Sequence, residues 1–186
     1  MKKISLLFTL LFVSCSTSHA ASENVFQIKS SDIEANSTIA NQQVFNGFGC
    51  SGENISPQIS WKNAPKETKS FALTVYDPDA PTGSGWWHYV AVNIPTNRNK
   101  LPTNFGSVDQ FKTTGDVLQV RNDFGVYKFG GPCPPAGDKP HRYIFTIYAL
   151  KSEKLDVPET ATAALAGFMI NQNILAKASF EAFYGR

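Results

Sequence analysis

A mostly β fold is predicted by three features of the 186-residue sequence. Two segments rich in aromatic and β-branched residues, Ser70 to Tyr76 and Trp87 to Asn93, flank a short Pro/Gly turn, the composition of a strand–turn–strand unit. A third segment, Tyr143-Ile144-Phe145-Thr146-Ile147-Tyr148-Ala149-Leu150, alternates only weakly, as a strand covered on both faces does. Between such runs the chain is rich in Gly, Pro and Asn, and helical periodicity is confined to one stretch near the C-terminal end.

Met1 to Ala20 reads as a secretory leader. Lys2-Lys3 is the charged start, Ile4 to Val13 the apolar run, and Ser18-His19-Ala20 the small-residue cleavage site. The run is too short for a membrane-spanning helix. Lipidation at Cys15 is the competing reading; cleavage after Ala20 predicts a soluble protein beginning at Ala21. Losing Lys2 and Lys3 brings the 17 basic residues level with the 15 acidic ones, so the basic footprint of a nucleic-acid binder is absent. Residues 21–186 then form one domain, with no internal repeat or linker, exported to the periplasm or beyond.

Val25 to Ile28 is a short alternating strand. Asn46 to Pro57, dense in Gly and Asn, reads as a structured loop. Gln58 to Trp61 is a brief strand stopped at Asn63-Ala64-Pro65. Pro95 to Leu118 is polar and reads mostly as loop. Phe129-Gly130-Gly131-Pro132-Cys133-Pro134-Pro135-Ala136-Gly137 cannot be helix or central strand, and suits a rigid loop whose backbone approaches a ligand closely. Thr160 to Ala178 carries Ala161, Leu165, Phe168, Met169 and Leu175 at helical spacing. It predicts one or two amphipathic helices with these residues in the core, interrupted at Gly167 or at Asn171-Gln172-Asn173. Ala178 to Arg186 reads as a last short strand.

Beyond the leader the chain holds two cysteines and two histidines. Cys50 and Cys133 lie in Gly/Pro-rich loops, and an oxidising compartment would join them as a disulfide; two separate buried thiols are the alternative. The histidines are more informative. Asp77-Pro78-Asp79-Ala80-Pro81 leaves one strand with carboxylates at i and i+2, and Trp86-Trp87-His88 opens the next. His141 opens the Tyr143 strand directly after the second Gly/Pro loop. Taken singly, each group is ordinary turn chemistry or a packed core histidine. Both histidines ending strands beside the loops richest in Gly and Pro points to one shared site, with a carboxylate orienting an imidazole.

These residues carry a family likeness. Asp77-Pro78-Asp79-Ala80-Pro81, Trp86-Trp87-His88 and Gly131-Pro132-Cys133-Pro134-Pro135 running to His141-Arg142-Tyr143 resemble the phosphatidylethanolamine-binding protein family, most closely its bacterial YbhB/YbcL branch of Raf kinase inhibitor-like proteins. Gly52 to Pro57, Arg121-Asn122-Asp123-Phe124-Gly125 and Tyr184-Gly185-Arg186 resemble further elements of that branch. The resemblance implies a β-sandwich core with a few peripheral helices, including a C-terminal helical segment. It also implies a small anion pocket for a phosphoethanolamine-like group, walled by Asp77, Asp79, His88, His141 and Tyr143 and rimmed by the Pro132 and Cys133 backbone.

The function expected is therefore non-enzymatic binding of a small anionic or phosphorylated group, without cofactor or metal. One competing class is a protein-interaction or inhibitor module acting on a protease or host protein, with a homodimer also open. Another is a metalloenzyme using His88, His141 and an Asp, against which no H-E-x-x-H pair is present. No G-x-S-x-G elbow marks a hydrolase.

Overall fold

The computed structural model describes residues 24–186. The leader, Cys15 and the expected start at Ala21 lie outside these residues. Ten strands and one helix follow in order: β1 (Gln27–Lys29), β2 (Asn46–Gly47), β3 (Cys50–Ser51), β4 (Ile59–Lys62), β5 (Ser70–Asp77), β6 (Trp86–Pro95), β7 (Lys100–Leu101), β8 (Leu118–Gln119), β9 (His141–Leu150), α1 (Ala163–Asn171) and β10 (Ile174–Tyr184). Two 3₁₀ turns, Phe105–Ser107 and Thr114–Asp116, lie in the segment read as loop.

Five strands form an antiparallel sheet in the order β10-β9-β5-β6-β8, and three form a second sheet, β1-β4-β7. Strand alternation divides the side chains of β5 between two cores. Phe71, Leu73 and Val75 meet Ile59, Trp61 and Leu101 of the smaller sheet, with Phe145 and Ile147 of β9, and fill the sandwich. Ala72 points the other way, with Val90 and Val92 of β6, against Ala163, Ala166 and Ile170 of α1 and against Leu155 and Val157. β5 and β9 are thus covered on both faces, which explains their near-continuous apolar sequence.

The C-terminal region departs from the expected pattern. Helix α1 begins at the Thr162 cap, whose side chain accepts the Leu165 N–H, and it ends at Asn171. Asn173 closes it by donating to the Met169 carbonyl and accepting from Ser152. From Ile174 the chain is a long strand paired with β9 as far as Tyr184 against His141. Ala176, Ala178 and Phe180 alternate inward, a period of two hidden under residues that also suit a helix. The buried stripe of α1 is also narrower than expected. Its core residues are small or aliphatic, whereas Phe168 is 61% exposed and Leu165 is exposed beside it. Two turns resting on a crowded sheet leave room for Ala, not Phe.

Cys50 and Cys133 are bonded, with Cα atoms 6.0 Å apart, and join loops 83 residues apart in sequence. A closed loop of that length stabilises the fold by roughly 2–4 kcal/mol.

Candidate functional site

Asp77 is the last residue of β5. Its Oδ1 accepts the N–H groups of Asp79 (2.8 Å) and Ala80 (3.1 Å), an Asx turn that follows from an Asp preceding Pro78. Its Oδ2 is left for His141 Nδ1, 2.8 Å away, and both side chains are buried. The carboxylate only accepts, so Nδ1 carries the proton and Nε2 looks outward. The Asp138 carboxylate stands 3.6 Å from Nε2, beyond hydrogen-bond length.

Asp79 is used differently. Its Oδ2 accepts the backbone N–H and Nε–H of Arg142, both at 2.9 Å, and its Oδ1 accepts Nη2–H at 2.8 Å. The bonds from Arg142 hold its carboxyl down to about 2. His141 and Arg142 are adjacent in β9 and so face opposite ways.

His88, on β6, has Nδ1 2.6 Å from the Gly130 carbonyl, which fixes the proton there. Burial pushes this imidazole down to about 4, so it is neutral at pH 7. The edges of two rings close on it, Phe124 at 5.3 Å and Tyr143 at 5.1 Å between centroids. Phe124 is held there by the Asn122 side chain, which donates to the carbonyls of His88 and Lys128 and accepts the Phe124 N–H. Asp123 accepts the Trp87 N–H at 2.7 Å and pins the same loop to β6.

These elements enclose a cavity of about 220 Å³. Asp77, Trp86, His88, Phe124, His141 and Tyr143 line it, with Phe48, Cys133, Pro134 and Pro135 from the disulfide-linked loops. The wall is mostly apolar, yet two hydrogen-bond donors in it, Tyr143 Oη and Trp86 Nε1, are buried without a partner. Burial pushes the Tyr143 phenol well above its ordinary range, so it keeps its proton. Phe48 forms an aromatic lip, 69% exposed, stacked near Phe124 and held at φ 53, a conformation strained for a bulky side chain.

Arg186 fastens this lip. Its guanidinium donates to the Pro134 carbonyl at 2.7 Å and to the Gly49 and Phe48 carbonyls at 3.2 Å. Gly131 lets the second loop pass against the first, since a Cβ there would stand 1.9 Å from the Gln43 carbonyl oxygen. The Gly131 N–H is received by Asn54, which also donates to Phe129.

Of the residues singled out in the sequence, Asp77, His88, Cys133, His141 and Tyr143 meet in the cavity. Asp79 stands behind it on Arg142, and the Pro132 carbonyl is taken by the Phe45 N–H at 3.0 Å. Trp86, which the motif contains but the expected pocket walls do not, also lines the cavity, two residues before His88 on one strand. Phe48 and Phe124 come from loops without periodicity, and no pattern in the sequence marks them. Among the described residues, no group of three or more His, Cys, Asp and Glu side chains is placed to hold a metal ion. Nor is any helix there long and apolar enough to cross a membrane.

Comparison with known proteins gives a family-model match over residues 29–185, described as phosphatidylethanolamine-binding protein. The chain is 47% identical to the UPF0098 protein YbcL of Escherichia coli over 99% of this chain and 98% of that one. It is 48% identical to YbhB of the same organism over 83% of this chain and 97% of that protein. The crystal structure of E. coli YbcL, described as a member of the mammalian PEBP family, matches with a TM-score of 0.83 at 49% identity. That match covers 87% of this chain and 98% of the crystal chain.

Proposed function

From the premise that this chain belongs to the phosphatidylethanolamine-binding protein family, we propose that it binds, without chemical conversion, a small phosphorylated or otherwise anionic group in the cavity between His88 and His141. The observation that carries this reading is the pair of buried donors without partners, Tyr143 Oη and Trp86 Nε1, on two residues that line the cavity. A buried donor left unpaired costs about 1–3 kcal/mol. A phosphate oxygen would satisfy each. His141, its Nδ1–H held by Asp77, turns Nε2 to a third phosphate oxygen. Neutral His88 presents a lone pair at Nε2 and receives a phosphate O–H, or the ammonium of phosphoethanolamine. Its apolar neighbours Phe48, Phe124 and Pro135 suit the carbon skeleton of the ligand.

The leader-like residues 1–20 and the Cys50–Cys133 disulfide support export to an oxidising compartment, the periplasm, as the place of action. Cys133, the cysteine of the cavity wall, is committed to the disulfide and offers no thiolate nucleophile.

Calorimetric titration of phosphoethanolamine tests the proposal. Wild type is expected to bind, and Tyr143→Phe, Trp86→Phe and His141→Asn each to lose about tenfold in affinity or more. Equal affinity in all three variants would refute the site.

A further inference from the structure

The outward face of the β1-β4-β7 sheet has an unexplained chemistry. Lys29 and Lys100 lie across from Ser60 on either side, and Lys62 lies across from Gln27. Residues directly opposite in an antiparallel ladder share a face, so Lys29, Lys62, Lys100, Gln27 and Ser60 all project from one surface. The alternate residues Ile59, Trp61 and Leu101 are buried in the sandwich. Strand spacing places the three lysine Cα atoms about 8–10 Å apart, within reach of one another's long side chains. They line a groove of about 360 Å³ that Asn99 completes, and no carboxylate lines it. Among the described residues, no ion pair within 4.0 Å involves any of the three.

Three ammonium groups on one small surface repel each other unless an anion lies between them. A chain with nearly balanced charge has placed them together. We propose that this face is a second binding site, for a polyanionic saccharide bearing sulfate or phosphate groups. Charge complementarity selects the anion. The amides of Gln27 and Asn99 and the Ser60 hydroxyl, interleaved with the lysines, select a ligand that also carries hydroxyl groups. The ladder runs the lysines along and across three strands, which suits an extended chain, and the groove shares no residue with the cavity near His141.

The test uses the intact exported chain and heparin oligosaccharide as the probe, in low salt. Wild type is expected to bind with an affinity that falls steeply as salt rises. The Lys29→Gln/Lys62→Gln/Lys100→Gln variant is expected to lose about tenfold or more. Lys66→Gln/Lys151→Gln/Lys177→Gln makes the same change in net charge elsewhere on the surface and is expected to bind as wild type does. No binding by wild type, or equal losses in the two triple variants, overturns the proposal. So does tighter binding to vesicles of anionic phospholipid than to heparin, since the occupant would then be a lipid surface. Circular dichroism of the folded variants excludes unfolding as the cause of a loss.

Discussion

Two carboxylate pairs grow from the same two sequence motifs and end in opposite environments. Asp77 and His141 form a buried pair at the cavity, and Asp79 and Arg142 form a fork on the outside. The partners are neighbours in sequence, Asp77 with Asp79 and His141 with Arg142, so the difference comes from which way each side chain leaves its strand or turn. Inside, one carboxylate oxygen is occupied by the Asx turn and the other by one imidazole, which fixes the ring's tautomer and direction. Outside, a bidentate guanidinium closes the turn onto β9. The inner pair orients a binding group; the outer pair holds the motif together.

Breaking the inner pair has the largest expected effect. Asp77→Ala leaves the buried His141 Nδ1–H and two half-buried backbone N–H groups without a partner, and is expected to cost about 3–5 kcal/mol in denaturant unfolding. A cost no larger than that of an ordinary surface substitution would show that the pair is not buried in solution.

The next largest effect is pH dependence through the other histidine of the cavity. His88 has an unfolded value near 6.5 and is held near 4 by burial. Between these values the unfolded chain takes up a proton that the folded one refuses, so stability falls as pH drops from about 6.5 toward 4 and levels off below. His88→Gln, measured by thermal unfolding across that range, is expected to flatten this part of the profile. An unchanged slope would place its origin elsewhere.

The smallest effect belongs to the outer pair. Arg142 is largely solvent-exposed, so Arg142→Gln is expected to shift the unfolding midpoint far less than Asp77→Ala. Because Asp79 is held below its ordinary value, the stability it adds is present above about pH 4 and lost as pH falls toward 2. A double-mutant cycle on each pair sharpens the contrast: strong coupling inside, weak coupling outside. The reverse order would mean that the roles are exchanged.

Much of this arrangement is legible in the sequence, because strands of eight to ten residues such as β5, β6 and β9 announce themselves through composition. The Asp77 and His141 motifs are legible for the same reason, as punctuation at the ends of those strands, and the Cys50–Cys133 pairing because these are the two cysteines beyond the leader. What the motifs do not disclose is direction. Two carboxylates at i and i+2 look equivalent until the Asx turn at Pro78 sends Asp79 outward. The small sheet is hidden because β7 is two residues long inside a polar segment, and its lysines align only through pairing with β4. The strand from Ile174 is masked by Ala and Leu, which satisfy a helical period as readily as an alternating one. The aromatic lip at Phe48 depends on a loop conformation at positive φ that no periodicity encodes.

The central claim is that the cavity presents Tyr143, Trp86 and His141 to one anion. A crystal structure of the protein soaked in phosphoethanolamine tests it most directly. The account predicts phosphate density with oxygens about 2.7–3.0 Å from Tyr143 Oη and Trp86 Nε1, and in contact with His141 Nε2. A phosphate group bound elsewhere, or a cavity holding only water at saturating ligand, would contradict it.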